Sequence, residues 1–306
     1  MMDIPVLDWS RFAKEDRQRF VSDLAAACRG PGFFLLSGHG VPQTVIDSVF
    51  SQADRFFSQS EVQKRSLAID HTNRGWAQLG SENLDDSQPG QRDHKEAFNI
   101  GLEMAADDPR VLANEPFRAP NRWPDLPEFR HAMLTYFDAC HRLGVALHQA
   151  FSADLGLDAN HFAPHFTAPL ATLRLLHYPP ARGTEGEIGA GAHTDYGSVT
   201  LLMTDGEAGL QVQPRGGDWV DVPHVPGAFT VNIGDCLMRW TNDIYRSTPH
   251  RVLPPKRQRR SVAFFLDPNP EAPIEALPGT GPAKYPPTTG ARYLRSRLDA
   301  TYAGTT

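Results

Sequence analysis

Residues 192–203 read Ala192-His193-Thr194-Asp195-Tyr196-Gly197-Ser198-Val199-Thr200-Leu201-Leu202-Met203: an imidazole and a carboxylate two positions apart, a turn, then an apolar, partly β-branched run. In an extended chain residues i and i+2 face the same way, so His193 and Asp195 can grip one ion together. The apolar run is one of several short β-like segments in the second half of the chain, at 172–178, 199–203, 210–213, 219–222, 229–233, 250–253 and 261–266. Turn residues separate them, as in Arg215-Gly216-Gly217-Asp218 and Val225-Pro226-Gly227. Many short strands at this spacing predict an antiparallel sandwich or barrel.

In a chain with 12 histidines a His-x-Asp pair arises easily by chance, so it needs a third partner from a distant strand. His250, in Thr248-Pro249-His250-Arg251-Val252, follows His193 by 57 positions (250 − 193), with four β-like runs between them. Two imidazoles and one carboxylate on one face leave three coordination positions open, which is the facial triad of non-haem iron(II) oxygenases. A bidentate cosubstrate takes two of those positions and O₂ the third. Gly189, Gly191 and Gly197 flank the first pair and mark tight backbone there.

A second set of residues stands at Arg259-Arg260-Ser261. In an extended strand Arg259 and Ser261 share a face. A guanidinium pairs bidentately with a carboxylate, and the hydroxyl adds a donor, so the two can anchor the far end of a dicarboxylate. Lys256 and Arg257, just before, read as a solvated basic turn, whereas Phe264-Phe265 show the chain re-entering a core.

The first half mixes helix and strand. Phe20, Leu24 and Cys28 lie on one face of a helix over 16–29, which Gly30-Pro31-Gly32 ends. Pro42 suits the first turn of a second helix carrying Val45, Val49 and Phe56. Residues 70–95 read as a long polar loop, and a long support helix runs from about 125 to 155. A Pro-rich stretch at 267–288 precedes a terminal helix over 290–303 with Tyr293, Leu294, Leu298 and Tyr302 as its apolar positions.

The 306 residues are 40% hydrophobic with net charge −6 and scattered basic residues, which argues for a packed core and against a nucleic-acid binder. Cys28, Cys140 and Cys236 lack paired spacing, so a disulfide framework is not expected. No segment has the ~18 apolar residues of a membrane span, and the start lacks a basic-then-apolar signal pattern. The expectation is a cytoplasmic protein.

At this point the sequence resembles the isopenicillin N synthase-like 2-oxoglutarate/Fe(II) dioxygenases. The matching segments stand in the family's order over nearly the whole chain: Ile4-Pro5-Val6-Leu7-Asp8, Gly32-Phe33-Phe34-Leu35-Leu36, Gly38-His39-Gly40-Val41-Pro42, Lys95-Glu96-Ala97-Phe98-Asn99-Ile100-Gly101, residues 173–179, Ala192-His193-Thr194-Asp195, Gly209-Leu210-Gln211-Val212, Asn232-Ile233-Gly234-Asp235, residues 248–252 and Arg259-Arg260-Ser261. The resemblance implies a mainly β fold with helical additions: a double-stranded β-helix (jelly roll) core, a helical N-terminal region and a C-terminal helix. Residues 1–120 would form that N-terminal helical and strand region. Residues 121–306 would supply the support helix, catalytic core and C-terminal helix of the same compact unit.

Carried over by position, the resemblance makes His193, Asp195 and His250 the Fe(II) ligands, and Arg259 and Ser261 the clamp for the 2-oxoglutarate C5 carboxylate. Tyr178 matches a tyrosine near the iron that hydrogen-bonds cosubstrate or substrate. The implied reaction couples O₂ and decarboxylation of 2-oxoglutarate, to succinate and CO₂, to oxidation of a small molecule, most often its hydroxylation. An iron oxidase of the same fold that does not use 2-oxoglutarate, and a non-catalytic binding module, are the other readings. The candidate substrate residues are Arg174, Tyr196, Asn73, Arg74, Glu82 and Phe265. Arg174 shares a strand face with Leu176 and Tyr178, and no acidic residue is predicted on a neighbouring strand. A buried guanidinium needs a partner, so a substrate carboxylate, as in an amino acid, is expected to supply it.

Overall fold

The computed structural model describes residues 3–14, 16–85, 87–88 and 90–303, with side chains through 299, so Tyr302 lies outside the described side chains. Two facing sheets enclose the cavity. The strands are β1 (Val6–Asp8), β2 (Phe33–Ser37), β3 (Gly75–Ala77), β4 (Glu96–Gly101), β5 (Thr172–Tyr178), β6 (Ala190–His193), β7 (Val199–Thr204), β8 (Leu210–Val212), β9 (Val220–Asp221), β10 (Phe229–Ile233), β11 (His250–Val252) and β12 (Arg259–Leu266). The larger sheet runs β1-β2-β10-β7-β12-β5-β4-β3 and the smaller β6-β11-β8-β9. This is the double-stranded β-helix with helices packed on it. The first 120 residues contribute β1 to β4 to the larger sheet, through β2 against β10 and β4 against β5.

Period-2 alternation decides which face each side chain takes. Leu173 and Leu175 of β5, Leu201 and Met203 of β7, Val231 and Ile233 of β10, and Val262, Phe264 and Leu266 of β12 enter the large apolar core. The long helix Phe129–Asp154 covers that face. Phe137 meets Phe264 edge-on at 5.0 Å. At Gly144 a Cβ would come within 2.6 Å of Leu266, so the absent side chain sets how closely helix and sheet approach. Truncating one fully buried Phe in such a core costs ~3–5 kcal/mol. The helix Arg17–Arg29 buries Phe20, Leu24 and Cys28 as their spacing predicts. It ends in a turn where Gly32 has φ +68° and a Cβ would collide with the Arg246 carbonyl.

The alternate residues of the same strands line the cavity. Reading across the register, one row holds Asn232, Thr200, Phe265 and Thr172; the next holds Leu202, Ala263, Arg174 and Asn99. Leu176 with Ser261, and Tyr178 with Arg259, form the two rows beyond. No helix among the described residues is long and apolar enough to cross a membrane.

Candidate active site

His193 closes β6, His250 opens β11, and the two are direct antiparallel partners. Sheet pairing thus brings together residues 57 positions apart (250 − 193), their ring centroids 4.4 Å from each other. Asp195 lies just past the end of β6, so the extended segment is shorter than the sequence reading expects. Its Oδ1 is 3.8 Å from His193 Nε2 and 3.6 Å from His250 Nε2. One ligand atom from each of the three residues lies within 4.8 Å of the others, as a single metal ion requires.

The outer partners decide which atoms face the centre. His193 Nδ1 is 2.7 Å from the Gly191 carbonyl and His250 Nδ1 is 3.2 Å from that of Thr248. A carbonyl only accepts, so each Nδ1 carries the hydrogen and each Nε2 keeps its lone pair for a metal. Asp195 Oδ2 accepts from Thr200 Oγ1 at 2.5 Å and Asn232 Nδ2 at 2.7 Å, leaving Oδ1 for the ion. Burial and the neighbouring His250 push His193 down to about 3. Burial would raise Asp195, but the two histidines and its hydrogen bonds hold it below the ordinary carboxylate range. Two neutral-nitrogen donors and an anionic oxygen fit Fe(II).

At the other end of the cavity Arg259 is 1% exposed. Its Nη1 donates to Ser261 Oγ at 3.3 Å, its Nε to the Glu207 carbonyl at 3.3 Å, and its guanidinium lies 4.9 Å from the Tyr178 ring centroid. Among the described residues no carboxylate pairs with it. Arg257 is the opposite case: its side chain is 84% exposed and paired with Glu207 at 2.7 Å. Tyr178 is the direct cross-strand partner of Arg259 and lines the same cavity as His193, Asp195 and His250. Leu202, Leu210 and Val252 form apolar walls of this cavity, whose volume is about 170 Å³.

Of the other expected substrate residues, Asn73, Arg174, Tyr196 and Phe265 line the cavity. Arg74 does not. It is buried beneath Gly101 and donates to the Thr72, Asn73 and Phe117 carbonyls, holding the loop in place.

Glu82 accounts for Arg174, whose Nη2 donates to both its oxygens at 2.6 and 2.5 Å. The expected need for a substrate carboxylate is therefore corrected: the partner comes from the loop, not from an adjacent strand. Lys95 Nζ sits 3.1 Å from Glu82 and 2.5 Å from Asp93. Burial would raise Glu82, but these two cations hold it below its ordinary range. Asp93 Oδ1 in turn accepts from Gly191 N at 2.9 Å, next to the hydrogen bond that orients His193.

Breaking a buried pair of this kind costs ~3–5 kcal/mol. Arg174→Met should therefore lower the melting temperature by roughly 5 °C or more, and adding Glu82→Gln should recover part of the loss. An unchanged melting curve for the single variant would show that the pair contributes nothing.

Sequence reasoning missed Lys95, Asn99, Thr172 and Asp267, and the reach of Leu294 and Leu298 from the terminal helix, all of which line the cavity. Burial and the field of Asp195 push the Asp267 carboxyl up to about 7.

Two family models match this chain. Residues 4–126 match the N-terminal domain described for a non-haem dioxygenase in morphine synthesis, and residues 169–268 match the 2OG-Fe(II) oxygenase superfamily. A 2-oxoglutarate-Fe(II) type oxidoreductase, hxnY, from Emericella nidulans is 35% identical over 97% of this chain and 90% of its own length. The crystal structure of a full-length Neurospora crassa protein in complex with alpha-KG (2-oxoglutarate) and thymine superposes with a TM-score of 0.87, at 32% identity over 98% of this chain and 97% of that one. A 2OG-Fe(II) oxygenase family protein from Caulobacter crescentus gives a TM-score of 0.86, at 30% identity over 97% and 99%. The chain belongs to the 2-oxoglutarate/Fe(II)-dependent dioxygenase family, and it is an enzyme that uses Fe(II) and 2-oxoglutarate on a small-molecule substrate.

Proposed function

We propose that this enzyme hydroxylates a small, uncharged heterocycle carrying both N–H and C=O groups, the chemistry that thymine represents. His193, Asp195 and His250 hold the Fe(II); Arg259 and Ser261 hold the C5 carboxylate of 2-oxoglutarate, with Tyr178 packed on the guanidinium.

The observation that carries the substrate reading is the charge balance of the cavity wall: Arg174 and Lys95 are matched by Glu82 and Asp93. An amino acid or other carboxylate would have to displace Glu82 from Arg174, and would face Asp267 without a spare cation. An uncharged molecule displaces no ion pair and can use the amide groups that the Asn99 Nδ2 to Asn73 Oδ1 hydrogen bond leaves free. The thymine bound in the Neurospora relative is such a molecule.

Bound Fe(II) supplies O₂ activation coupled to the decarboxylation of 2-oxoglutarate. The protein's part is positioning and exclusion of water. Arg259 fixes one end of the cosubstrate. Phe265 and Thr172 share the sheet row of Thr200, which holds Asp195, and Leu294 and Leu298 add apolar surface to the cavity lining.

A panel of uncharged pyrimidines, amino acids and other carboxylates, scored by substrate-dependent succinate release, tests this. Uncharged pyrimidines should stimulate release severalfold over the substrate-free rate. Stimulation by carboxylates alone would overturn the reading.

A further inference from the structure

β12 sends Arg259, Ser261, Ala263 and Phe265 into the cavity, and the same alternation continues one residue past the strand to Asp267. Phe265 lies across from Thr200, and Thr200 from Asn232; these last two hold Asp195. Phe265 therefore marks the level of the metal. Asp267 is the next inward residue beyond it, on the side away from Arg259. A Cβ on Gly197 would lie 3.2 Å from the Asp267 carboxyl, so the glycine leaves room for this group between the backbone and the cavity.

The Asp267 side chain lines the cavity while the residue is 7% exposed. Among the described residues no hydrogen bond or ion pair reaches its carboxyl. The other acids in and around the cavity have partners: Asp195 on the lining has Thr200 and Asn232, and off the lining Asp93 has Lys95 and Gly191 and Glu82 has Arg174 and Lys95. A buried polar group without a partner is destabilising. The Asp267 carboxyl borders the cavity, so a ligand that displaces water from it has to offer it a donor in return.

We propose that Asp267 is the residue that orients the substrate, taking a hydrogen bond from a substrate N–H or O–H group on the far side of the metal from the 2-oxoglutarate clamp. The proposal rests on reading this cavity as the site of a small uncharged heterocycle. It narrows that class to molecules with a hydrogen-bond donor on the edge that reaches Asp267, and it makes the methylated form of that edge a poor substrate. With one edge held by Asp267 and a face against Phe265, the ring has one orientation, so one carbon is presented to the metal.

The test uses thymine, 1-methylthymine, 3-methylthymine and 1,3-dimethylthymine, titrated anaerobically into the protein loaded with Mn(II) and 2-oxoglutarate. In the wild type at about pH 8.5, where Asp267 is ionised, methylation of one nitrogen should weaken binding by roughly tenfold to a hundredfold, the worth of a hydrogen bond to a charged group. In Asp267→Ala thymine itself should bind that much more weakly, and the penalty for the methyl group should vanish. Asp267→Asn keeps the shape and should fall between.

Melting of the ligand-free protein supplies an independent readout. Removing an unsatisfied buried acid should leave the melting temperature equal or higher in both variants. A clear drop would show that Asp267 serves the fold, and would overturn the proposal. Equal thymine affinity in the wild type and Asp267→Ala would overturn the assignment of Asp267 while leaving the substrate reading intact. Failure of the wild type to bind any of the four compounds would overturn both together.

Discussion

His250→Ala is expected to leave a folded protein with no substrate-dependent succinate formation and far less bound iron. The outer hydrogen bonds of the triad fall on the two histidine Nδ1 atoms and on Asp195 Oδ2, so both Nε2 atoms and Oδ1 are left to face one centre, and His250 supplies one of these three ligand atoms. Removing an outer partner of a metal ligand typically costs ~10–100-fold, so removing a ligand should exceed that. Asp195 keeps its hydrogen bonds to Thr200 and Asn232 in the variant, which is why the fold should survive. Iron content after desalting, circular dichroism and succinate release check the three parts of the claim. Wild-type turnover in this variant would mean that the third ligand lies elsewhere. Asp195 also raises the metal-free His250 above its ordinary value, although burial alone would lower it. A metal must displace that proton, so iron affinity should fall as pH drops.

The triad could be read from sequence because its parts are local signals joined by one long pairing. His193 and Asp195 sit two apart, His250 sits in a strand of its own, and the runs at 172–178 and 229–233 coincide with β5 and β10. That Arg259 and Ser261 face the cavity together could be read for the same reason, since a strand alternates. The pairing of Arg174 with Glu82 could not. It joins a strand to a polar loop 92 positions away, and such a loop has no period from which side-chain direction follows. The same ambiguity made Arg74 a plausible substrate contact when it is a buried tie for the loop. Asp267 escaped notice because it falls one residue past the end of an apolar run, at the start of a Pro-rich stretch. There, strand alternation no longer predicts a face, yet the backbone continues it. The strands β1 to β4 belong to the larger sheet through pairings that only the folded chain shows.

Arg259→Ala should raise the apparent KM for 2-oxoglutarate by at least ~30-fold, because truncating one member of a desolvated charge pair costs about 2–5 kcal/mol. The guanidinium is buried and, among the described residues, has only a hydroxyl, a carbonyl and an aromatic face for company. A buried cation in that state awaits an anion, and the cosubstrate's distal carboxylate is the one that this family brings. Arg259→Lys should recover only part of the loss, since an ammonium cannot make the paired, planar contacts of a guanidinium. Arg257 is two residues away, carries the same charge and is satisfied by Glu207 in solvent. Arg257→Ala should therefore leave KM within about twofold, as exposed pairs contribute little. Both variants change net charge by the same amount, so a diffuse field would move them together. Equal increases in KM for Arg257→Ala and Arg259→Ala would show that the basic turn merely attracts the dicarboxylate. A large increase for Arg259→Ala alone, measured as 2-oxoglutarate-dependent succinate release at saturating iron, would place the carboxylate against that one side chain.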